Sequence, residues 1–226
     1  MLNMMEKSAD LCYMSAIELL DLYDMKTISP VDVTKAVFDR IHVVNEEVNA
    51  FSLLTEETAM QAARESEARW SKGEARGILD GIPVSVKDIV LRKDWPTQRG
   101  SKASPTDQSH TVDAPCVARM REHGAIFLGR TATPEFGWKG VTDSPLTGIT
   151  RNPWDTTKTP GGSSGGAATA AALGMGALHI GSDGGGSVRI PSGFTGTFGL
   201  KPSFGRVPMY PASPFASLSH IGPMTR

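Results

Sequence analysis

The sequence predicts an α/β fold, a mixed and mostly parallel central sheet covered by helices. Three observations carry that expectation. From Gly81 onward short apolar runs alternate with helical segments. Two of those runs, GIPVSVKDIV (81–90) and AIFLGRT (125–131), read as strands buried on both faces. The first 75 residues instead show helical periodicity framed by cap signals, the pattern of an outer helical layer.

Ser15 caps a helix whose apolar face is Leu19, Leu20, Leu22 and Tyr23. Ser29-Pro30-Val31-Asp32 opens a second helix with a serine cap, a proline at the first position and an acid in the first turn. Its stripe is Val33, Ala36, Val37, Phe38, Ile41 and Val44. Residues 49–54 predict a short strand. Residues 56–72 predict a third helix closed by Gly73, with Ala62, Ala63 and Trp70 as packing residues. Residues 114–123 form a helix closed by Gly124, with His123 suited to its C-terminus. An alanine-rich helix over 164–174 precedes a strand over 177–183, which runs into a glycine cluster. The proline- and serine-rich segment 202–214 reads as a surface loop, and no internal repeat is present.

The chain has 226 residues, enough for one substantial domain over 1–226. With a net charge of −1, nothing points to a nucleic-acid or anionic-membrane surface, and neither partner is expected. Cys12 and Cys116 are far apart and join no Cys/His cluster, which argues against a metal site or disulfide framework and for a reducing cytoplasm. The opening segment has no basic region followed by an apolar run, so no secretory signal is expected, and no 18-residue apolar stretch would span a membrane.

Chemistry concentrates between residues 159 and 201, where serines sit in two glycine nests, PGGSSGG and DGGGS. Consecutive N–H groups in such turns make anion-binding concavities. Ser187 follows Asp183-Gly184-Gly185-Gly186 just past a strand. It is either a capping serine in a turn or a nucleophile whose oxyanion faces the N–H groups of Gly184, Gly185, Gly186 and Ser187. A base is then required. His42, His110, His123, His179 and His220 form no constellation, read as surface or helix-end residues, and no GxSxG elbow exists. Lys87 lies within the apolar run VSVKDIV, where burial would lower its pKa toward that of a usable base. The alternative is a Lys87–Asp88 pair or an exposed strand end. Ser163 and Ser164 precede the alanine-rich helix; one would suffice as a cap, and a second hydroxyl could relay a proton. A phosphate loop is the competing idea, but PGGSSGG lacks a GKS or GKT ending, and DGGGS does not fit GxGxxG.

Together GIPVSVKD, PGGSSGG, GSDGGGSVRIPS, EFGWKGVTDSPLTGITRNPWD and TGTFGLKPSFGRVP resemble the amidase signature family of serine hydrolases. The resemblance implies an amidase signature fold, with 1–75 as the outer helical layer and 76–226 as the catalytic core. It implies Ser187 as nucleophile, Ser163 as a relay serine after a cis peptide, and Lys87 as base. The N–H groups of Gly184 to Ser187 would form the oxyanion hole, with Ser164 and Asp183 in support. The implied reaction is hydrolysis of a carboxylic amide through a seryl acyl-enzyme. It calls for no metal or organic cofactor, and its partner is a small-molecule amide. Family members are about twice this length, so the chain is expected to be an N-terminal portion, and a shortened sheet leaves apolar surface for a homodimer. The motif reads RIPS where the glutamine-hydrolysing transamidase subunit has RQPA, which favours a general amidase over that subunit.

Overall fold

The computed structural model describes residues 11–105, 107 and 109–226; the first ten residues of the opening segment, read above as carrying no secretory signal, lie outside the described residues. Helix α1 (Ala16–Asp24) and helix α2 (Pro30–Val48) both begin with a reciprocal capping box. Ser15 pairs with Glu18 and Ser29 with Asp32, so two otherwise orphaned donors are satisfied at each start. Helix α2 ends where Asn49 turns left-handed (φ 51°). Its stripe of Val33, Val37, Phe38 and Ile41 is fully buried, worth about 1.5–3 kcal/mol per large side chain removed from water. After strand β1 (Phe51–Leu54), helix α3 (Glu56–Lys72) carries acids in its first turn and Arg69 and Lys72 in its last, matching the helix dipole. It stops at Gly73.

The main sheet adds β2 (Pro83–Lys87), β3 (Ile126–Thr131), β6 (Leu178–Asp183), β7 (Phe198–Gly199) and β8 (His220–Thr225) to β1, in the order β1-β3-β2-β6-β8-β7. Strands β3, β2 and β6 are parallel; β1 and β8 run against them. Because β7 is antiparallel to β8, it points the same way as the central three, so the sheet is mixed with most strands in one direction. A separate hairpin pairs β4 (Asp143–Ser144) with β5 (Gly148–Ile149). Helix α4 (Pro115–Glu122) lies between β2 and β3 in the chain. No described helix is long and apolar enough to cross a membrane.

Strand β2 is shorter than the run 81–90 suggested. The N–H groups of Ile89 and Val90 both fold back onto the Lys87 carbonyl, at 2.7 and 3.0 Å, and end the strand there. Lys87 therefore sits at the C-terminal edge of the sheet, where open α/β sheets bind ligands. β6 lies beside it in parallel register, Val84 opposite Leu178 and Val86 opposite Ile180, and delivers Asp183 to the same edge. Helix α5 (Gly165–Ala172) is buried at every residue, as its run of glycine and alanine requires, and its one polar side chain, Thr169, donates to the Arg151 carbonyl at 3.2 Å. At Gly166 a Cβ would lie 2.5 Å from both the Ala132 nitrogen and the Ala50 oxygen, so glycine is what lets the helix seat against β1 and β3. Helix α6 (Arg189–Thr195), β7 and β8 carry no expectation from sequence. Pro191 and Gly193 interrupt the first, β7 has two residues, and Gly222 and Pro223 sit within β8.

Candidate active site

Lys87 is fully buried, and its Nζ lies 2.6 Å from Ser163 Oγ, 2.9 Å from Ser164 Oγ and 3.0 Å from Ser182 Oγ. Burial lowers its pKa to about 7, against the attraction of the Asp183 carboxylate, which raises it. The hydroxyl pattern fixes the direction of the bonds. Ser164 Oγ donates to the Ser182 carbonyl at 3.2 Å and accepts from the Ser182 N–H, so toward Lys87 it is an acceptor. Ser163 Oγ has no other partner among the described residues, which frees its proton for the lone pair of a neutral amine. The alternative Lys87–Asp88 pair does not form. Asp88, just past the end of the strand, instead accepts from the Gln98 and Gly100 N–H groups at 3.1 and 3.2 Å and faces Arg130 Nε at 3.6 Å.

The two nests meet. The Ser164 N–H donates to the Ser187 carbonyl at 3.1 Å, and the Gly162–Ser163 peptide is cis. Gly162 is pressed so closely on the Val141 backbone that a Cβ would lie 2.6 Å from its carbonyl. Thr142 Oγ1 braces the first nest by donating to the Gly161 carbonyl at 2.8 Å and accepting from the Gly165 N–H at 3.1 Å.

Asp183 organises the second nest. Its buried carboxylate accepts from the Gly186, Val188 and Arg189 N–H groups and forms a bidentate pair with the Arg189 guanidinium at 2.9 and 3.0 Å. Burial alone would raise the Asp183 pKa; the Arg189 pair and these N–H bonds overcome that and hold it at about 2. One expectation is corrected here. The Gly186 N–H donates to Asp183 Oδ1 at 2.8 Å and is not free for an oxyanion. The N–H groups of Gly184, Gly185 and Ser187 remain without a protein acceptor among the described residues.

A cavity of about 570 Å³ opens at this edge, within the range of small-molecule sites. Ser163, Ser182, Gly184, Gly185 and Ser187 form its polar floor. Phe136, Trp138 and Phe215 supply apolar wall, with the Trp138 and Phe215 rings stacked at 5.6 Å. No histidine lines it. His179 corrects the expectation of surface histidines: it is fully buried on β6, hydrogen-bonded to Ser85 at 2.7 Å, and burial lowers its pKa to about 4. His123 is the C-cap of α4, as its position beside Gly124 suggested. Among the described residues no group of three His, Cys, Asp or Glu side chains is placed to hold a metal.

Sequence reasoning missed Ser182 and Arg189. Both stand in the motif GSDGGGSVR, one before and six after Asp183. A carboxylate buried at a strand end needs a cation, and that need was a usable signal for Arg189. Nothing in the spacing pointed to Ser182.

A family model described as Amidase matches residues 32–226. Curated relatives include a glutamyl-tRNA(Gln) amidotransferase subunit from Moorella thermoacetica, 41% identical over 218 residues that are 96% of this chain and 45% of the relative. The protein of the same name from Rhodopirellula baltica is 44% identical over 93% of this chain and 42% of its own length. The chain thus spans less than half the length of these relatives. Among solved structures, a bacterial aryl acylamidase of the amidase signature enzymes superposes with a TM-score of 0.88 at 35% identity, covering 95% of this chain and 45% of that one. Fatty acid amide hydrolase gives 0.90 at 27% identity over 97% and 39%. The order of motifs, the meeting of the two nests and the extent of these matches lead to one conclusion: the chain belongs to the amidase signature family.

Proposed function

We propose that the protein hydrolyses carboxylic amides through a seryl acyl-enzyme, with Ser187 as nucleophile, Ser163 as proton relay and Lys87 as base. The observation that carries this reading is the buried Lys87 amine, with a pKa near 7 and a hydroxyl 2.6 Å away whose proton has no other acceptor among the described residues. Neutral Lys87 takes the Ser163 proton while Ser163 takes that of Ser187, and Ser187 Oγ bonds to the amide carbon. The carbonyl electrons move onto oxygen, which the N–H groups of Gly184, Gly185 and Ser187 receive. The proton returns through Ser163 to the leaving nitrogen, the C–N bond breaks, and water repeats the sequence on the acyl-enzyme. The products are an acid and an amine or ammonia, formed in the cytoplasm. Ser164 and Asp183 position the lysine and the second nest. In the full protein, Ser187→Ala should abolish both amide hydrolysis and labelling by a fluorophosphonate; labelling retained at full stoichiometry would sink the assignment.

A second reading is favoured by the names of the curated relatives, which are amidotransferase subunits. Here the same serine chemistry hydrolyses glutamine and hands ammonia to a partner protein. Glutaminase activity that appears only on addition of a co-purifying protein separates this reading from an autonomous amidase. A chain that labels at Ser187 yet turns over no amide would instead mark an incomplete family member.

A further inference from the structure

Resting on the reading of this cavity as an amide-hydrolysing site, we propose that Arg99 selects amides that carry a carboxylate elsewhere in the molecule. The cavity lining includes two cations, Arg99 and Lys139, and no acid. Lys139 is neutralised by Asp143 at 2.7 Å. The Arg99 side chain makes no hydrogen bond or ion pair among the described residues. Asp88, which its backbone contacts, is buried and engaged by Arg130 and by two N–H groups. Arg99 therefore lines the cavity with no direct side-chain partner among the described residues, its charge felt by Asp88 only at longer range, and its guanidinium carries a fork of donors that matches a carboxylate.

The backbone holds Arg99 in place. It adopts φ 54°, uncommon for a residue with a side chain. Its N–H donates to the Asp88 carbonyl at 3.0 Å, and its carbonyl accepts from Phe136 N–H at 2.8 Å. The next residue along that turn, Gly137, abuts the relay serine: a Cβ there would lie 3.2 Å from Ser163 Oγ. Arg99 and the proton relay are thus tied to one wall through the turn at 135–137. A substrate with its amide on the serine floor can reach Arg99 with a charged end, and the length of the spacer becomes a selectivity filter.

The test compares half-amides of dicarboxylic acids (succinamate, glutaramate, adipamate) and N-acyl amino acids with their methyl esters. Both series are run on the full protein and on Arg99→Gln and Arg99→Lys. Hydrolysis is read as kcat/KM. Binding is read by calorimetry in a Ser187→Ala background, which needs no turnover. For at least one spacer the carboxylate should be preferred over its ester by about 10- to 100-fold, as expected for a charged hydrogen-bonded pair. Arg99→Gln should abolish that preference through KM and leave the ester unchanged, and Arg99→Lys should restore part of it. Equal effects on acid and ester, or no preference in any spacer, overturn the proposal. A large loss of thermal stability in Arg99→Gln with no change in selectivity also overturns it, because Arg99 would then pair with an acid of the protein itself. Charge-dependent binding without hydrolysis keeps the anion site and refutes the amidase reading; hydrolysis indifferent to charge does the reverse.

Discussion

Titrating the protein between pH 5 and 9 interrogates Lys87 directly. An exposed lysine near 10.5 is neutral in roughly one molecule in 3,000 at pH 7. With its pKa lowered to about 7 by burial, Lys87 is neutral in about half of them. If the neutral amine starts the reaction, kcat/KM for an uncharged amide should rise about tenfold per pH unit below 7 and level off above it. The rate of fluorophosphonate labelling should follow the same curve. Lys87→Met should remove most of the rate and the limb with it. The stability sign is also set. The folded pKa lies below the unfolded one, so between pH 7 and 10.5 the unfolded chain holds the extra proton and stability increases with pH. The full window is worth at most about 5 kcal/mol, at ~1.4 kcal/mol per unit. Denaturant unfolding of wild type should show that rise, and Lys87→Met should lack it. A labelling rate that is flat across pH 5–9, or a limb centred near 10, would refute the reasoning.

Other perturbations test the scaffold. Asp183→Asn removes the carboxylate that pairs with Arg189 and attracts the Lys87 charge, so the midpoint of the pH–rate limb should fall below 7. It should also cost about 1–2 kcal/mol at neutral pH, a figure reduced because Arg189 is half exposed to solvent. Since the Asp183 pKa is depressed, that contribution is present above pH 4 and disappears as the pH falls toward 2, so the two unfolding curves should converge in acid; a constant gap would count against it. Gly166→Ala places a methyl 2.5 Å from two backbone atoms and should destabilise by about 2–3 kcal/mol in thermal or denaturant unfolding; a neutral outcome would mean the helix seats differently. Arg130→Met removes the nearest cation from buried Asp88, leaving only the more distant Arg99, and should cost about 3 kcal/mol, with part regained at pH 4 as the carboxylate protonates; equal losses at pH 4 and 7 would contradict that cause.

The elements that were legible from sequence are those with local signals. Ser15, Ser29 and Gly73 mark helix ends because capping is satisfied within a few residues of chain, and all three act as ends. The buried strands at 83–87 and 126–131 announced themselves by apolar runs. Helix α6 and strand β8 did not, because Pro191, Gly193 and Pro223 break the local pattern and tertiary pairing overrides it. At the site, the residue types in the two nests and in VSVK left capping and ion-pair readings open, and only the resemblance to the amidase signature family joined Lys87, Ser163 and Ser187 as a set.

Only the folded chain decided how those residues stand to one another. Parallel pairing of β2 with β6 carries Lys87 and Asp183 to one edge, although 95 residues separate the lysine from the Ser182 that also binds it. Burial there, a property of the packed sheet and of no single motif, lowers the lysine pKa to about 7. The same packing turned the Gly186 N–H onto Asp183 and left those of Gly184, Gly185 and Ser187 without a protein acceptor among the described residues. Local hydrogen bonding and hydrophobic pattern are written along the sequence; distance, desolvation and the choice among competing acceptors exist only once distant segments are in contact.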